Sequence, residues 1–141
     1  MRRDNYLTMV LNGDLQLAPM TKHLGWRILE YDAANATLKV CMETRPEFLN
    51  PFGFVHGGVL AAMLDETMAP TMAGTLGAGE FAPTLEMKVN FVSAAKAGSF
   101  FGTGRVIAKK KSIGFVEAKL EDENAVLIAT ASATFKISRH P

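Results

Sequence analysis

The stretch GGVLAAMLDETMA, residues 57–69, constrains the fold more than any other part of the chain. Its apolar residues fall on nearly every side of a helix, and such a helix must be enclosed by other elements. Pro70 lacks an N–H and clashes with the preceding turn, so it should kink or end the helix, and glycines follow at positions 74, 77 and 79. We therefore expect a buried central helix over residues 57–70.

The segments around this helix have the pattern of β-strands. TLEMKVNF alternates cleanly, and its apolar face holds Leu85, Met87, Val89 and Phe91. SFFGTGRVIA, IGFVEAKL and VLIATASATFKI follow it, separated by the turns KKKS and EDEN. In the last of these strands, Leu127 and Ala129 lie on the face opposite Val126 and Ile128. Before the helix, WRILEYD and ATLKVCM form a predicted hairpin.

Five or six antiparallel strands and one apolar helix predict an α+β fold in which a curved sheet wraps around the helix. A length of 141 residues fits a single domain over residues 1–141. Residues 1–24 should form an N-terminal helical segment, whose first helix lies in DNYLTMVLNG and ends at Asn12-Gly13. The edges and outer face of such a sheet often serve oligomerisation, so a homo-oligomer is expected.

Composition excludes several classes of function. The formal net charge is only +1, which argues against a nucleic-acid partner. A single cysteine, Cys41, excludes an internal disulfide, and three scattered histidines lack the spacing of metal ligands. Polar residues interrupt the N-terminal segment before it reaches the length of a signal peptide. We expect a cytoplasmic protein without a metal, a cofactor or membrane insertion.

Asp65 is a carboxylate where the central helix should be buried. Its neighbours at spacings of three, four and seven are small or apolar: Gly58, Ala61, Ala62, Met68, Ala69 and Met72. Burying an unpaired charge is costly, so either this face is exposed or a polar partner meets Asp65 there. Glu66, the next residue, also has apolar neighbours and is the rival carboxylate.

The stretch NPFGFVHGGVLAAMLDETM, followed by PTLEMKVNFVSAA and KKKSIGFVEAKL, resembles the hotdog-fold acyl-CoA thioesterases. The similarity is to the phenylacetate-pathway-like and 4-hydroxybenzoyl-CoA-like branch, and it covers about residues 20–137 in element order. Its most specific part is His56-Gly57-Gly58 with a carboxylate nine residues after the histidine. The resemblance implies a hotdog fold, hydrolysis of an acyl-CoA to free acid and coenzyme A, and active sites that lie across a subunit interface.

Helix geometry supports a shared site independently of the family. Gly57 and Asp65 are eight residues apart, which corresponds to about 12 Å along a helix axis. One helix therefore cannot bring both to the same carbonyl carbon, whereas two antiparallel helices of a two-fold dimer can. The Gly57 N–H would polarise the thioester oxygen, and Asp65 of the other subunit would act as general base or as nucleophile. The sequence leaves that choice open.

The resemblance assigns roles to further residues of the site. Asn50 matches a polar amide beside the scissile bond, although Asn before Pro is also common in turns. Thr84 matches a hydroxyl that helps to hold the water, and His56 matches a loop histidine that positions the thioester or the Gly57 turn. Gly58 would let substrate approach the backbone closely.

Other residues are expected to bind substrate. Phe54 and Met68 are candidates for the acyl pocket, with Met68 first of all a core residue. The KKKS turn resembles the region that contacts coenzyme A phosphates, and it contributes Lys109, Lys110, Lys111 and Ser112. Such a basic turn is more often simply solvated.

Two other functions fit the same fold. One is an acyl-CoA-binding module without useful turnover, and the other is a hotdog hydratase or dehydratase, whose differently spaced His and acid motifs are not seen here. The sequence leaves open the acyl chain, a coenzyme A or carrier-protein thioester, and a dimer or dimer of dimers.

Overall fold

A computed structural model describes residues 4–141, so residues 1–3 of the expected N-terminal segment lie outside the described part. The helices are α1 (Tyr6–Leu11), α2 (Pro19–His23) and α3 (Gly57–Ala73), with a single 3₁₀ turn at Pro46–Phe48. The strands are β1 (Arg27–Asp32), β2 (Thr37–Glu43), β3 (Glu80–Phe81), β4 (Thr84–Phe91), β5 (Ser99–Lys109), β6 (Ile113–Asp122), β7 (Leu127–Lys136) and β8 (Ser138–Arg139). Across residues 4–141, no helix combines the length and apolar character needed to cross a membrane.

Six strands form one antiparallel sheet in the order β1-β2-β5-β6-β7-β4, and α3 packs on it. This arrangement confirms the predicted α+β fold with a sheet around one long helix. The predicted hairpin is β1 and β2, and the KKKS and EDEN turns connect β5 to β6 and β6 to β7. The small sheet of β3 and β8 was not predicted from the sequence.

The contact between α3 and the sheet is unusually close. Thr67 and Thr71 are fully buried on the helix face that meets β5, opposite Gly102 and Gly104. A Cβ at either glycine would overlap the facing threonine hydroxyl. The hydroxyls themselves donate to carbonyls one turn back, from Thr67 to Met63 at 2.8 Å and from Thr71 to Thr67 at 2.6 Å. The glycines of FGTGR therefore admit the helix.

Pro70 does not end the helix, which continues to Ala73. A proline at position 70 leaves the carbonyl of Glu66 without its usual helical N–H partner. The indole N–H of Trp26 donates to that carbonyl instead, at 2.9 Å. This tertiary hydrogen bond explains why α3 extends one turn beyond its expected end.

Two strands depart from the alternation in the sequence. A bulge between Thr84 and Glu86 turns Leu85 outward, so Leu85 is 57% exposed although Met87 and Val89 are half-buried. Phe91, at the other end of β4, is also 57% exposed because β4 is an edge of the sheet. In β7, a register shift in the pairing with β6 makes Ile128 buried, so the predicted grouping of Ile128 with the opposite face is wrong.

We predict that Trp26→Phe lowers the free energy of unfolding by about 1–2 kcal/mol, because the Glu66 carbonyl loses the indole N–H that donates to it. The matched control is the same change in a Pro70→Ala background, where the N–H restored at position 70 can bond to Glu66. Denaturant titration of the four variants should show a smaller loss in that background. An equal loss in both backgrounds would contradict this account of Pro70.

Candidate active site

The two carboxylates of α3 lie on the helix face that the protein's own sheet leaves uncovered. Leu60, Met63 and Leu64 on the other side are buried. Asp65 and Glu66 are only half-buried and share their side of the helix with half-buried alanines at positions 62, 69 and 73. The expensive burial of an unpaired charge is thus avoided.

Asp65 is held from the side of β4. The Thr84 hydroxyl donates to Asp65 Oδ1 at 2.8 Å, so the structure brings these two predicted site residues together. No residue in the described range 4–141 hydrogen-bonds to the other oxygen, Asp65 Oδ2. That oxygen is not sealed in the core, since no buried side-chain oxygen or nitrogen among those residues lacks a partner. One oxygen of Asp65 is therefore oriented and the other is free.

The start of α3 presents one free backbone donor. His56 is the N-cap, and its Nδ1 accepts from the Gly58 N–H at 2.8 Å. No hydrogen bond within residues 4–141 uses the Gly57 N–H, which carries the positive end of the helix dipole. The Gly57 N–H is thus available to an incoming oxygen, whereas the Gly58 N–H already donates to His56. The missing Cβ of Gly58 leaves room for the His56 imidazole.

The strand β4 runs antiparallel to α3. Its first residue, Thr84, hydrogen-bonds to Asp65. Its last residue, Phe91, lies beside Gly57, with its ring 3.3 Å from the position that a Cβ on Gly57 would take. Gly57 and Asp65 are therefore at opposite ends of one face, separated by about 12 Å of helix. Within one chain the free donor and the free carboxylate do not converge.

Glu66 faces the N-terminal segment instead of β4. Its Oε2 accepts from the Thr21 hydroxyl at 2.8 Å, and its carbonyl accepts from Trp26. Burial raises the pKa of the Glu66 carboxyl above its usual range, the Thr21 hydrogen bond lowers it, and the charge of Asp65 raises it. Sequence reasoning missed Thr21 and Trp26; a proline four residues after Glu66 was the one available signal that a carbonyl there needs a donor.

Asn50 organises the loop ahead of the helix. Its Oδ1 accepts from the N–H groups of Phe52 at 2.9 Å and Phe54 at 3.1 Å, and its own N–H donates to the Phe54 carbonyl. The amide oxygen thus serves the turn, while Nδ2 makes no hydrogen bond to any residue in the range 4–141. Phe54 is half-buried, and Phe52 at the tip is 83% exposed.

Other expected binding residues are not brought to the carboxylates. Met68 is fully buried in the core and reaches no surface of the single chain. Lys111 and Ser112 line a cleft of about 620 Å³ together with Arg139 and Glu80. Lys109 is used locally, since its Nζ donates to the Thr75 carbonyl at 2.6 Å. Lys110 is exposed in the turn itself.

Comparison with known proteins identifies related chains. The family model described as the thioesterase superfamily matches residues 52–129, more than half of the chain. A phenylacetic acid degradation-related protein from Ralstonia eutropha JMP134 shares 32% identity; the match covers 94% of this chain and 99% of that one, with a TM-score of 0.90.

Two further matches have lower sequence identity. The 1,4-dihydroxy-2-naphthoyl-CoA hydrolase of Listeria monocytogenes is 24% identical over 116 residues, which is 82% of this chain and 93% of the relative. A Streptococcus mutans protein whose structure was solved with acetyl CoA is 21% identical, with a TM-score of 0.73 and coverage of 81% and 89%. This last similarity supports the fold.

We predict that Glu66→Gln stabilises the protein more at neutral pH than at about pH 4. A folded-state pKa above the unfolded value means that the stability contributed by the neutral carboxyl is complete below the unfolded pKa and is lost as pH rises through the folded pKa. The amide keeps an acceptor for Thr21 and cannot ionise. The Tm difference from wild type should therefore grow as the pH rises from acid to neutral.

Thr21→Val is the control, because it removes the hydrogen bond that favours the ionised form. Its stability should fall more steeply toward neutral pH than that of wild type. A Tm difference between Glu66→Gln and wild type that is independent of pH would contradict the assignment.

Proposed function

This chain belongs to the thioesterase superfamily, and from that premise we propose that it hydrolyses an acyl-CoA to the free acid and coenzyme A. The observation that carries the proposal is the Asp65 carboxylate, held on one oxygen by Thr84 and free on the other, on a helix face that the sheet does not cover. A carboxylate that is oriented and accessible is suited to act on a thioester carbonyl.

The proposed active form is a two-fold dimer joined along β4. This strand is a sheet edge, and its Leu85 and Phe91, together with Val92 just after it, are more than half exposed. Unpaired edge groups with apolar neighbours favour pairing with a second copy. Two-fold pairing of β4 would place the Thr84 end of one chain beside the Phe91 end of its partner. Thr84 contacts Asp65, and Phe91 lies beside Gly57. The same rotation would therefore bring the Asp65 carboxylate of one chain toward the free Gly57 N–H of the other.

The chemistry divides between the two subunits in this proposal. The Gly57 N–H and the helix dipole behind it stabilise the negative charge that develops on the carbonyl oxygen. Asp65 either takes a proton from the attacking water or attacks the carbonyl carbon directly and forms an anhydride that water then opens. In both routes the C–S bond breaks, and coenzyme A leaves as thiolate and is then protonated.

Three neighbours would support these groups. Thr84 fixes the carboxylate through its hydroxyl. His56 holds the first turn of α3 by capping Gly58, which keeps the Gly57 N–H directed outward. The unpaired Nδ2 of Asn50 is available to the substrate while its oxygen keeps the turn rigid. We assign Asn50 and His56 to positioning of the thioester.

The coenzyme A phosphates have a candidate site in the cleft at the turn between β5 and β6. Lys111 and Ser112 line it, and Arg139 adds a guanidinium. One guanidinium nitrogen of Arg139 lies 3.5 Å from the Glu80 carboxylate, which leaves its other N–H groups to bind phosphate. Lys110 lies beside them in the turn. We propose a cytoplasmic homo-oligomer, either this dimer or a dimer of dimers, as the working enzyme.

Asp65→Asn tests the proposal most simply. The amide preserves an acceptor for Thr84, so the variant should keep its Tm and its affinity for acyl-CoA. We expect thiol release from a panel of aryl and aliphatic acyl-CoAs to fall by about 10³-fold or more, because removing the base or nucleophile removes the reacting group. Turnover equal to wild type would exclude Asp65. An unhydrolysed wild-type complex would indicate a binding module, and a changed enoyl chromophore with intact thioester would indicate a hydratase.

A matched pair at Gly57 tests the oxyanion donor. Gly57 is the first residue of α3, where proline is well tolerated, so Gly57→Pro removes the N–H without an incompatible backbone. Gly57→Ala adds a similar Cβ beside Phe91 and keeps the N–H. We expect Gly57→Pro to reduce kcat by about 10²–10³-fold relative to Gly57→Ala. Equal kcat values in the two variants would rule out this donor.

A further inference from the structure

A cavity of about 390 Å³ lies between α3, the N-terminal segment and β3. This volume is within the range of about 300–1,000 Å³ of typical small-ligand sites. Its walls are mainly apolar, from Trp26, Ala69, Ala73, Leu76 and Phe81. The site is thus suited to the apolar body of a small organic group.

The wall of this cavity contains one carboxylate oxygen that is not in use. Glu66 lines the cavity; Thr21 occupies its Oε2, and no residue in the described range bonds to its Oε1. The same oxygen is not sealed, because no buried polar atom of those residues lacks a partner. Glu80 also lines the cavity, but the Gly77 N–H, Lys109 and Arg139 surround its carboxylate.

The cavity adjoins the Asp65 site. Ala69, in its wall, lies one helical turn after Asp65 on the same side of α3. Ala82, which also lines the cavity, lies two residues before Thr84, whose hydroxyl donates to Asp65. A group attached to a carbonyl at Asp65 therefore has an adjoining space that leads away from the start of the helix.

We propose that this cavity holds the acyl group and that Glu66 Oε1 selects acyl groups bearing a hydroxyl. The inference rests on the proposed function and adds a specificity-determining residue to it. A hydroxyl donates to the free oxygen, whereas a methyl or ring C–H at that point would desolvate the carboxylate without replacing its hydrogen bond with water. An ammonium group is a poorer match, since the apolar walls would have to desolvate a full positive charge as well.

The test uses matched pairs of acyl-CoAs that differ by one hydroxyl, one pair aromatic and one pair short aliphatic. For each pair, kcat/KM is measured with wild type, Glu66→Met and Thr21→Val. Met replaces the carboxylate with an apolar chain of similar length, and Val removes the Thr21 hydroxyl but keeps Glu66. In at least one pair, wild type should favour the hydroxylated member by about tenfold or more, as expected for a hydrogen bond to a charged group. Glu66→Met should reduce the ratio to about 1, and Thr21→Val should retain a preference.

A purely structural role of Glu66 gives a different result. If Glu66 only anchors the N-terminal segment through Thr21, both variants should change the two members of each pair equally and leave the ratio unchanged. That outcome, or a wild-type ratio near 1 in both pairs, would overturn the inference while leaving the thioesterase proposal intact.

Binding separates the two proposals if wild type hydrolyses neither member of a pair. Non-hydrolysable thioether analogues of the same pairs are then titrated by calorimetry with wild type and Glu66→Met. A hydroxyl preference in Kd that disappears in Glu66→Met would support the selection by Glu66 although the hydrolase proposal has failed. Equal Kd values of wild type for both analogues would overturn the selection by Glu66.

Discussion

The positions of the α3 carboxylates depend on how closely α3 approaches β5. Gly102 and Gly104 leave no side chain between the strand and Thr67 and Thr71, so the helix lies directly against the sheet. Packed interiors transmit such constraints because they have few voids into which a helix can shift. Asp65 is two residues before Thr67, and its height above the sheet is set by this contact. The hydroxyl of Thr84 can then reach it from the neighbouring edge strand.

The same packing divides the uncovered face of α3 into two sides with different properties. Asp65 faces β4, the edge of the sheet, where a second copy can add. Glu66 faces the N-terminal segment, whose Thr21 hydroxyl donates to its carboxylate, and Trp26, just after that segment, donates to its carbonyl. Adjacent carboxylates on one helix thus have separate surroundings, and such separation of environments is how proteins assign different tasks to similar groups. In the proposed enzyme, Asp65 would perform the chemistry and Glu66 would select the acyl group.

Local sequence patterns predicted the elements that are determined by residues close together in the chain. The strands alternate between apolar and polar residues, the hairpin turn is short, and the start of α3 is marked by glycines after a loop that contains prolines. The outcome differed where a distant residue intervened. Trp26 supplies the hydrogen bond that lets α3 pass Pro70, a bulge turns Leu85 outward, and a register shift buries Ile128. None of these contacts has a periodic signal. For the candidate site, spacing indicated that Gly57 and Asp65 belong to different subunits, but the hydroxyl partner of Glu66 lies far away in sequence and was not predictable.

In the proposed enzyme, one active site combines Asp65 of one subunit with Gly57 of the other. Mixing Asp65→Asn with Gly57→Pro subunits, after each has been shown to be inactive alone, tests it directly. Random reassortment makes half of the dimers mixed, and each mixed dimer has one intact site of two, so about a quarter of wild-type thiol release should return. No recovery from a mixture shown by mass spectrometry to contain mixed dimers would contradict the shared site.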